Sequence, residues 1–105
     1  MIERKMSLRE KQSLFVQMVG KLIEYAITHG YELTFGDAYA TSGHTKNSCH
    51  YIRLAIDLNL FKDGKYLSKT EDHTELGEYW ESQGGAWGGR FRDGNHYSLE
   101  HQGRK

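Results

Sequence analysis

Two spacings stand out in this 105-residue chain: His50 has Asp57 seven positions on, and His96 has Asp93 three positions before it. Imidazole and carboxylate are ligands that zinc accepts. Two imidazoles and one carboxylate leave a fourth position open for water, as a catalytic site requires and a closed structural site does not. His50, Asp57 and His96 can supply that set. A carboxylate just outside it can take a proton from attacking water and return it to a leaving amine. Asp93 is the candidate for that base, and Glu100 is the alternative. The single cysteine, Cys49, excludes an intrachain disulfide and any metal site built from several thiolates.

These residues can meet only if the chain folds back between them. Ile52, Leu54, Ile56, Leu58 and Leu60 alternate with Arg53, Ala55, Asp57 and Asn59, the period-two pattern of a strand with one buried face. Asp57 falls on the opposite face. A strand rises about 3.3 Å per residue, so a straight run would hold His50 and Asp57 roughly 23 Å apart. A turn near Tyr51 to Arg53 is therefore required. The Asp93-Gly94 pair, a turn signal just ahead of a last strand from His96 to Leu99, can set Asp93 and His96 on one side of a pocket.

The remaining elements are scaffold. Ser7 and Glu10 have capping-box spacing, and Leu14, Phe15, Met18, Val19, Leu22, Ile23, Ala26 and Ile27 recur at helical intervals up to Gly30, which predicts an amphipathic helix over residues 8–29. Tyr31 to Phe35 reads as a short strand, and residues 36–48 as a polar loop. Asp63-Gly64 signals a hairpin returning through Tyr66-Leu67. A second helix, capped by Ser68 or Thr70, carries Leu76, Tyr79 and Trp80 and ends at Gly84-Gly85. The order helix, strand, hairpin, helix, strand predicts a single α+β domain over residues 1–105, with a small antiparallel sheet flanked by two helices. His29 is placed at a helix end where it can cap carbonyls, His73 on a solvated helix face, and His101 in a tail. His29 and His73 are not expected to bind metal.

Composition narrows the function further. Hydrophobic residues make up 37% of the chain and charged residues 27%, the balance of a folded domain. Fourteen basic and fourteen acidic residues cancel, so no global field favours nucleic acid or an anionic membrane. Residues 1–6 are charged and precede no sustained apolar run, so neither a signal peptide nor a membrane span is expected. Synthesis in a cytoplasm and a monomeric state are the corresponding expectations.

The stretch Ser48-Cys49-His50-Tyr51-Ile52-Arg53-Leu54-Ala55-Ile56-Asp57 resembles the Ser-x-His-x-x-Gly-x-Ala-x-Asp signature of the D-alanyl-D-alanine carboxypeptidase family of zinc peptidases, and Asp93-Gly94-Asn95-His96-Tyr97 resembles its second signature. That family includes phage endolysins of the L-alanyl-D-glutamate endopeptidase type and the vancomycin-resistance dipeptidases and carboxypeptidases. The likeness covers roughly residues 30–100. It implies a hedgehog/D-Ala-D-Ala peptidase-like fold, zinc held by His50, Asp57 and His96, Asp93 as base, and peptidoglycan stem peptides as substrate. It also implies action on the bacterial cell wall, with an L-Ala-D-Glu endopeptidase released through a holin slightly favoured over a D-Ala-D-Ala carboxypeptidase.

Two positions depart from the family pattern. Ala40 stands where many relatives carry an arginine that polarises the scissile carbonyl, and Arg53 replaces the signature glycine. Arg53, Arg90 or His44 is expected to supply the missing positive charge or donor, with Ser48 supporting the site, because charge on a tetrahedral oxygen needs a partner beyond the metal. Two rival readings follow. One is a zinc-binding cell-wall module without turnover, motivated by Ala40. The other is a metal-free interaction domain in which Tyr79, Trp80, Trp87, Phe91 and Tyr97 are ordinary core.

Overall fold

The computed structural model describes residues 5–105. Helix α1 (Leu8–Thr28) opens with the expected capping box: Ser7 Oγ accepts from the Glu10 amide, and the Glu10 carboxylate accepts from the Ser7 amide. Such a reciprocal cap stabilises a helix start by about 1 kcal/mol. Phe15, Met18, Val19, Leu22 and Ala26 form its buried stripe, while Ile27, expected in that stripe, is exposed. His29 closes the helix, its Nδ1 2.7 Å from the Tyr25 carbonyl.

The stripe packs on an antiparallel sheet whose longest member is β2 (Ala55–Lys62). Strand β1 (Glu32–Phe35) pairs with residues 58–61 of β2, and β3 (Lys65–Leu67) with residues 60–62. Strand β5 (His96–Ser98) pairs with residues 55–57 and carries the two-residue β4 (Ala86–Trp87) beyond it. The hairpin between β2 and β3 turns on Asp63 and Gly64, both at positive φ, the backbone that a two-residue loop needs and an Asp-Gly pair tolerates. Ala55, Ile56, Leu58 and Leu60 are buried while Asp57 and Asn59 are only half-covered. The strand predicted from Ile52 begins at Ala55, because residues Cys49–Ile52 coil into a 3-10 turn that ends at Arg53 in the left-handed region, φ 58°. That is the break the site requires.

Helix α2 (Thr74–Ser82) starts later than expected, after a 3-10 turn over Thr70–His73. Thr70 caps no helix; its Oγ1 accepts from the Gly94 amide. His73, expected on a solvated face, is buried, with Nδ1 2.7 Å from the Tyr97 hydroxyl. The 3-10 turn rotates the ring inward, which helical spacing from α2 alone would not reveal. Burial pushes its pKa down to about 4, against the pull of neighbouring Asp72. Trp80 fills the space between the layers, edge-on to Phe15 and Tyr97, and donates its indole N–H to the Ser98 carbonyl at 2.8 Å. Cys49 is core, burial raising its thiol to about 11.

The tail in which His101 was placed is tied down over residues 101–105. His101 and Arg104 bridge through paired backbone bonds of 3.0 and 2.9 Å, and the Lys105 carbonyl accepts from the Cys49 amide. Among the described residues no helix is long and apolar enough to cross a membrane.

Candidate metal centre

The two halves of the site arrive by different routes. Asp57 and His96 are directly opposed in the β2–β5 ladder, so the pleat puts both side chains on the same face. His50 comes from the 3-10 turn before β2, whose start is capped by Ser48 Oγ accepting from the His50 amide at 3.2 Å. The left-handed residue Arg53 then reverses the chain, and the Leu54 amide bonds back to the Cys49 carbonyl. This fold-back returns His50 to Asp57. Gly88 seats the last member: a Cβ there would stand 2.2 Å from the Asp93 carbonyl oxygen and 2.7 Å from His96 Cβ. Gly94 likewise admits no side chain against Thr70.

The result is a triangle of three polar atoms. His50 Nε2 lies 3.1 Å from Asp57 Oδ1 and 3.2 Å from His96 Nδ1, and His96 Nδ1 lies 3.6 Å from Asp57 Oδ1. Protons cannot satisfy all three sides. Each contact to the carboxylate needs a proton on its imidazole nitrogen, but with both nitrogens protonated the 3.2 Å contact sets two N–H groups against each other. With the carboxylate ionised, any other placement leaves lone pairs facing. A cation at the centre satisfies every side at once. Ligands at 2.0–2.2 Å in tetrahedral geometry are separated by about 3.4 Å, which these distances bracket. His50 and His96 are buried, and His50 Nδ1 and His96 Nε2 have no protein partner. A buried unpaired polar atom costs about 1–3 kcal/mol, so stability did not select this cluster. The residues fit a zinc-type ion.

The surroundings are electrostatically consistent with that use. Burial alone would raise the Asp57 carboxyl, but the neighbouring imidazoles of His50 and His96 outweigh it and hold the group at about 2. It is an anion at neutral pH. Asp93 is exposed, its Oδ2 3.8 Å from His96 Nδ1, beside the triangle but not bonded into it. Asp57, Asp93 and His96 form one cluster of donor atoms within 4.8 Å, and His44, His50 and Asp57 form another. His44 stacks on His50 with ring centroids 4.0 Å apart, and its Nε2 meets Asp37 Oδ2 at 3.0 Å. The Tyr51 hydroxyl staples the His44 backbone from both sides, accepting from its N–H at 2.8 Å and donating to its C=O at 2.7 Å.

The other expected site residues lie elsewhere or serve differently. The Arg53 guanidinium sits 3.9 Å over the Tyr39 ring. Arg90 makes a bidentate pair with Glu81 at 2.9 and 2.7 Å, in a cavity shared with Glu100 and apart from the histidines. Neither arginine reaches the triangle through these contacts, and Glu100 does not line the cavity that holds Asp93. Ser48 shapes the turn under His50. Phe91, counted with the core aromatics, is exposed and packs edge-on against His96 at 5.6 Å. Sequence reasoning passed over Asp37, which read as a loop residue. Its seven-residue separation from His44, the same as His50 to Asp57, is a signal that could have found it.

A cavity of about 580 Å³ opens beside this cluster, walled by His44, Ser48, Phe91, Asp93 and His96 together with the turn at residues 103–105. No curated protein matches the chain. Residues 41–99 match the family described as D-alanyl-D-alanine carboxypeptidase. The match starts just after Ala40 and takes in both signatures, the fold-back turn and the whole triangle. Spanning more than half of the sequence, it establishes that the chain belongs to the D-alanyl-D-alanine carboxypeptidase family of peptidases.

Proposed function

We propose that this chain is a zinc peptidase that cleaves the stem peptides of bacterial peptidoglycan, at a D-Ala-D-Ala or an L-Ala-D-Glu bond, with His50, Asp57 and His96 as metal ligands. The observation that carries the reading is the triangle that no proton arrangement satisfies. Zinc, when bound, supplies Lewis-acid polarisation and an acidified water. The protein's own groups do the rest. Asp93, anchored by its amide to the Gly88 carbonyl at 2.9 Å, holds a carboxylate at the edge of the cavity. It takes the proton from the attacking water and delivers it to the departing amine. His44, oriented by Asp37 and stacked against His50, is the nearest substitute for the donor absent at Ala40. Phe91 lines the same cavity, edge-on to His96.

The test is purified protein assayed for bound metal and for amines released from peptidoglycan. Asp93→Asn should keep the metal and lose about 10²- to 10⁴-fold in hydrolysis. Full activity in that variant removes Asp93 as the base. One observation favours a second reading: Arg53 and Arg90 are both engaged away from the cluster, so neither of the two arginines expected to replace the one missing at Ala40 does so through these contacts. A wall-binding module that retains zinc but never releases amines is the outcome that reading expects.

A further inference from the structure

The main cavity has one wall at the histidine cluster and another at the turn that closes the described chain. That turn is ordered by its own backbone: Gln102 and Gly103 both take positive φ, and His101 and Arg104 bond to each other in both directions. It is also strapped to the loop before His50. The Arg104 Nε–H donates to the Asn47 carbonyl at 3.1 Å, and the Cys49 amide donates to the Lys105 carbonyl at 3.1 Å. Arg104 is thus half-buried and held through one nitrogen, its terminal nitrogens free of any carboxylate among the described residues. Lys46 and Lys105 line the same cavity, and among the described residues Asp93 is the only acidic side chain that does.

A guanidinium held through Nε, on the wall of a cavity that two lysines also line, is suited to an anion, and its fork geometry to a carboxylate. The two bonds named above share a chemical feature at that point. In D-Ala-D-Ala the carbon bonded to the scissile nitrogen carries the terminal carboxylate. In L-Ala-D-Glu, where the stem continues through the side-chain carboxyl, the carbon in the same place carries the free α-carboxylate. We propose that Arg104, assisted by Lys46 and Lys105, forms a carboxylate subsite for this group. The inference rests on the peptidase reading, and it makes the amine-side carboxylate, rather than the side chain, the feature that selects the bond. A stem peptide in which that carboxylate is amidated is a poor substrate.

The experiment separates binding from turnover. Purified protein is titrated with N-acetyl-D-alanine and with N-acetyl-D-alanine amide, followed by NMR shifts. The acid should bind about tenfold or more tightly than the amide, with the preference shrinking as salt rises. Arg104→Gln should abolish the preference and Arg104→Lys keep part of it, while Lys21→Gln, remote from this cavity, changes nothing. Unaltered far-ultraviolet circular dichroism in the Arg104 variants establishes that the fold is intact. Equal binding of acid and amide, no binding of either, or an acid preference that survives Arg104→Gln overturns the subsite. Failure of the peptidase reading looks different: the acid preference is present, yet neither L-Ala-γ-D-Glu nor N-acetyl-Lys-D-Ala-D-Ala is hydrolysed.

Discussion

His96 and Tyr97 are neighbours on one short strand and face opposite ways, and each meets a buried histidine: His50 on one side, His73 on the other. On the Tyr97 side the demand for hydrogen bonds is met by a single pair at 2.7 Å, inside the packing of Trp80 and Tyr97. On the His96 side three acceptor-capable atoms crowd together at 3.1–3.6 Å and two ring nitrogens lack a partner. Burial is nearly the same. What separates a structural histidine from a ligand-type one is whether protons alone can satisfy the neighbours, and this holds without reference to any bound ion.

The sharpest way to break the comparison is to remove one histidine from each side. His96→Ala should lose bound zinc and reduce hydrolysis by about 10⁴-fold or more, roughly 5 kcal/mol, whereas His73→Ala should keep zinc stoichiometry while unfolding at lower denaturant. Zinc loss in the His73 variant and not in the His96 variant would reverse the assignment of the two sites.

The next effect is on stability against pH. The folded-state pKa of His73, about 4, lies below its ordinary value of 6.5, so the unfolded chain takes up the proton first. Stability from this group is therefore intact above about pH 6.5, falls as pH drops towards 4, and levels off below. The loss across that window is roughly 3 kcal/mol. Urea midpoints at pH 7 and 4.5 for wild type and His73→Gln measure it, and equal pH dependence in the two proteins would falsify the assignment to His73.

Tyr97→Phe sharpens the contrast on a smaller scale. It leaves the buried His73 ring without its partner and should destabilise by about 1–3 kcal/mol with zinc content unchanged, since the two sides of β5 do not share a hydrogen bond. A fall in zinc content would show the faces to be coupled. The smallest effect is expected at His44, where Ala should lower hydrolysis about tenfold, roughly 1.4 kcal/mol, with metal retained. Metal loss there instead would make His44 a ligand, as its place near His50 and Asp57 allows.

Legibility followed the range of the interactions involved. The α1 stripe, the Ser7 cap, the alternation of β2 and the Asp63-Gly64 hairpin are each set within a few residues, and they were readable to within a residue or three. His73 was misread because a 3-10 turn, not helical periodicity, sets its direction, and that turn is imposed by packing against residues 91–97. The closing turn at 101–105 was misread for the same reason. Its own backbone bonds shape it, but what ties it to the rest of the fold is Asn47 and Cys49, more than fifty residues away.

What the sequence by itself determined is the inventory and the need for a fold-back: residue types that bind zinc, a strand parity that puts Asp57 outward, and a straight-chain separation too long unless residues 51–53 turn. Only the tertiary structure decided which of these atoms meet. The Asp57–His96 register, the left-handed Arg53, the room left by Gly88 and the strap from Arg104 to Asn47 all depend on pairing across the chain. No local preference encodes such pairings, because their free energy comes from burying surfaces that are far apart until the sheet has formed.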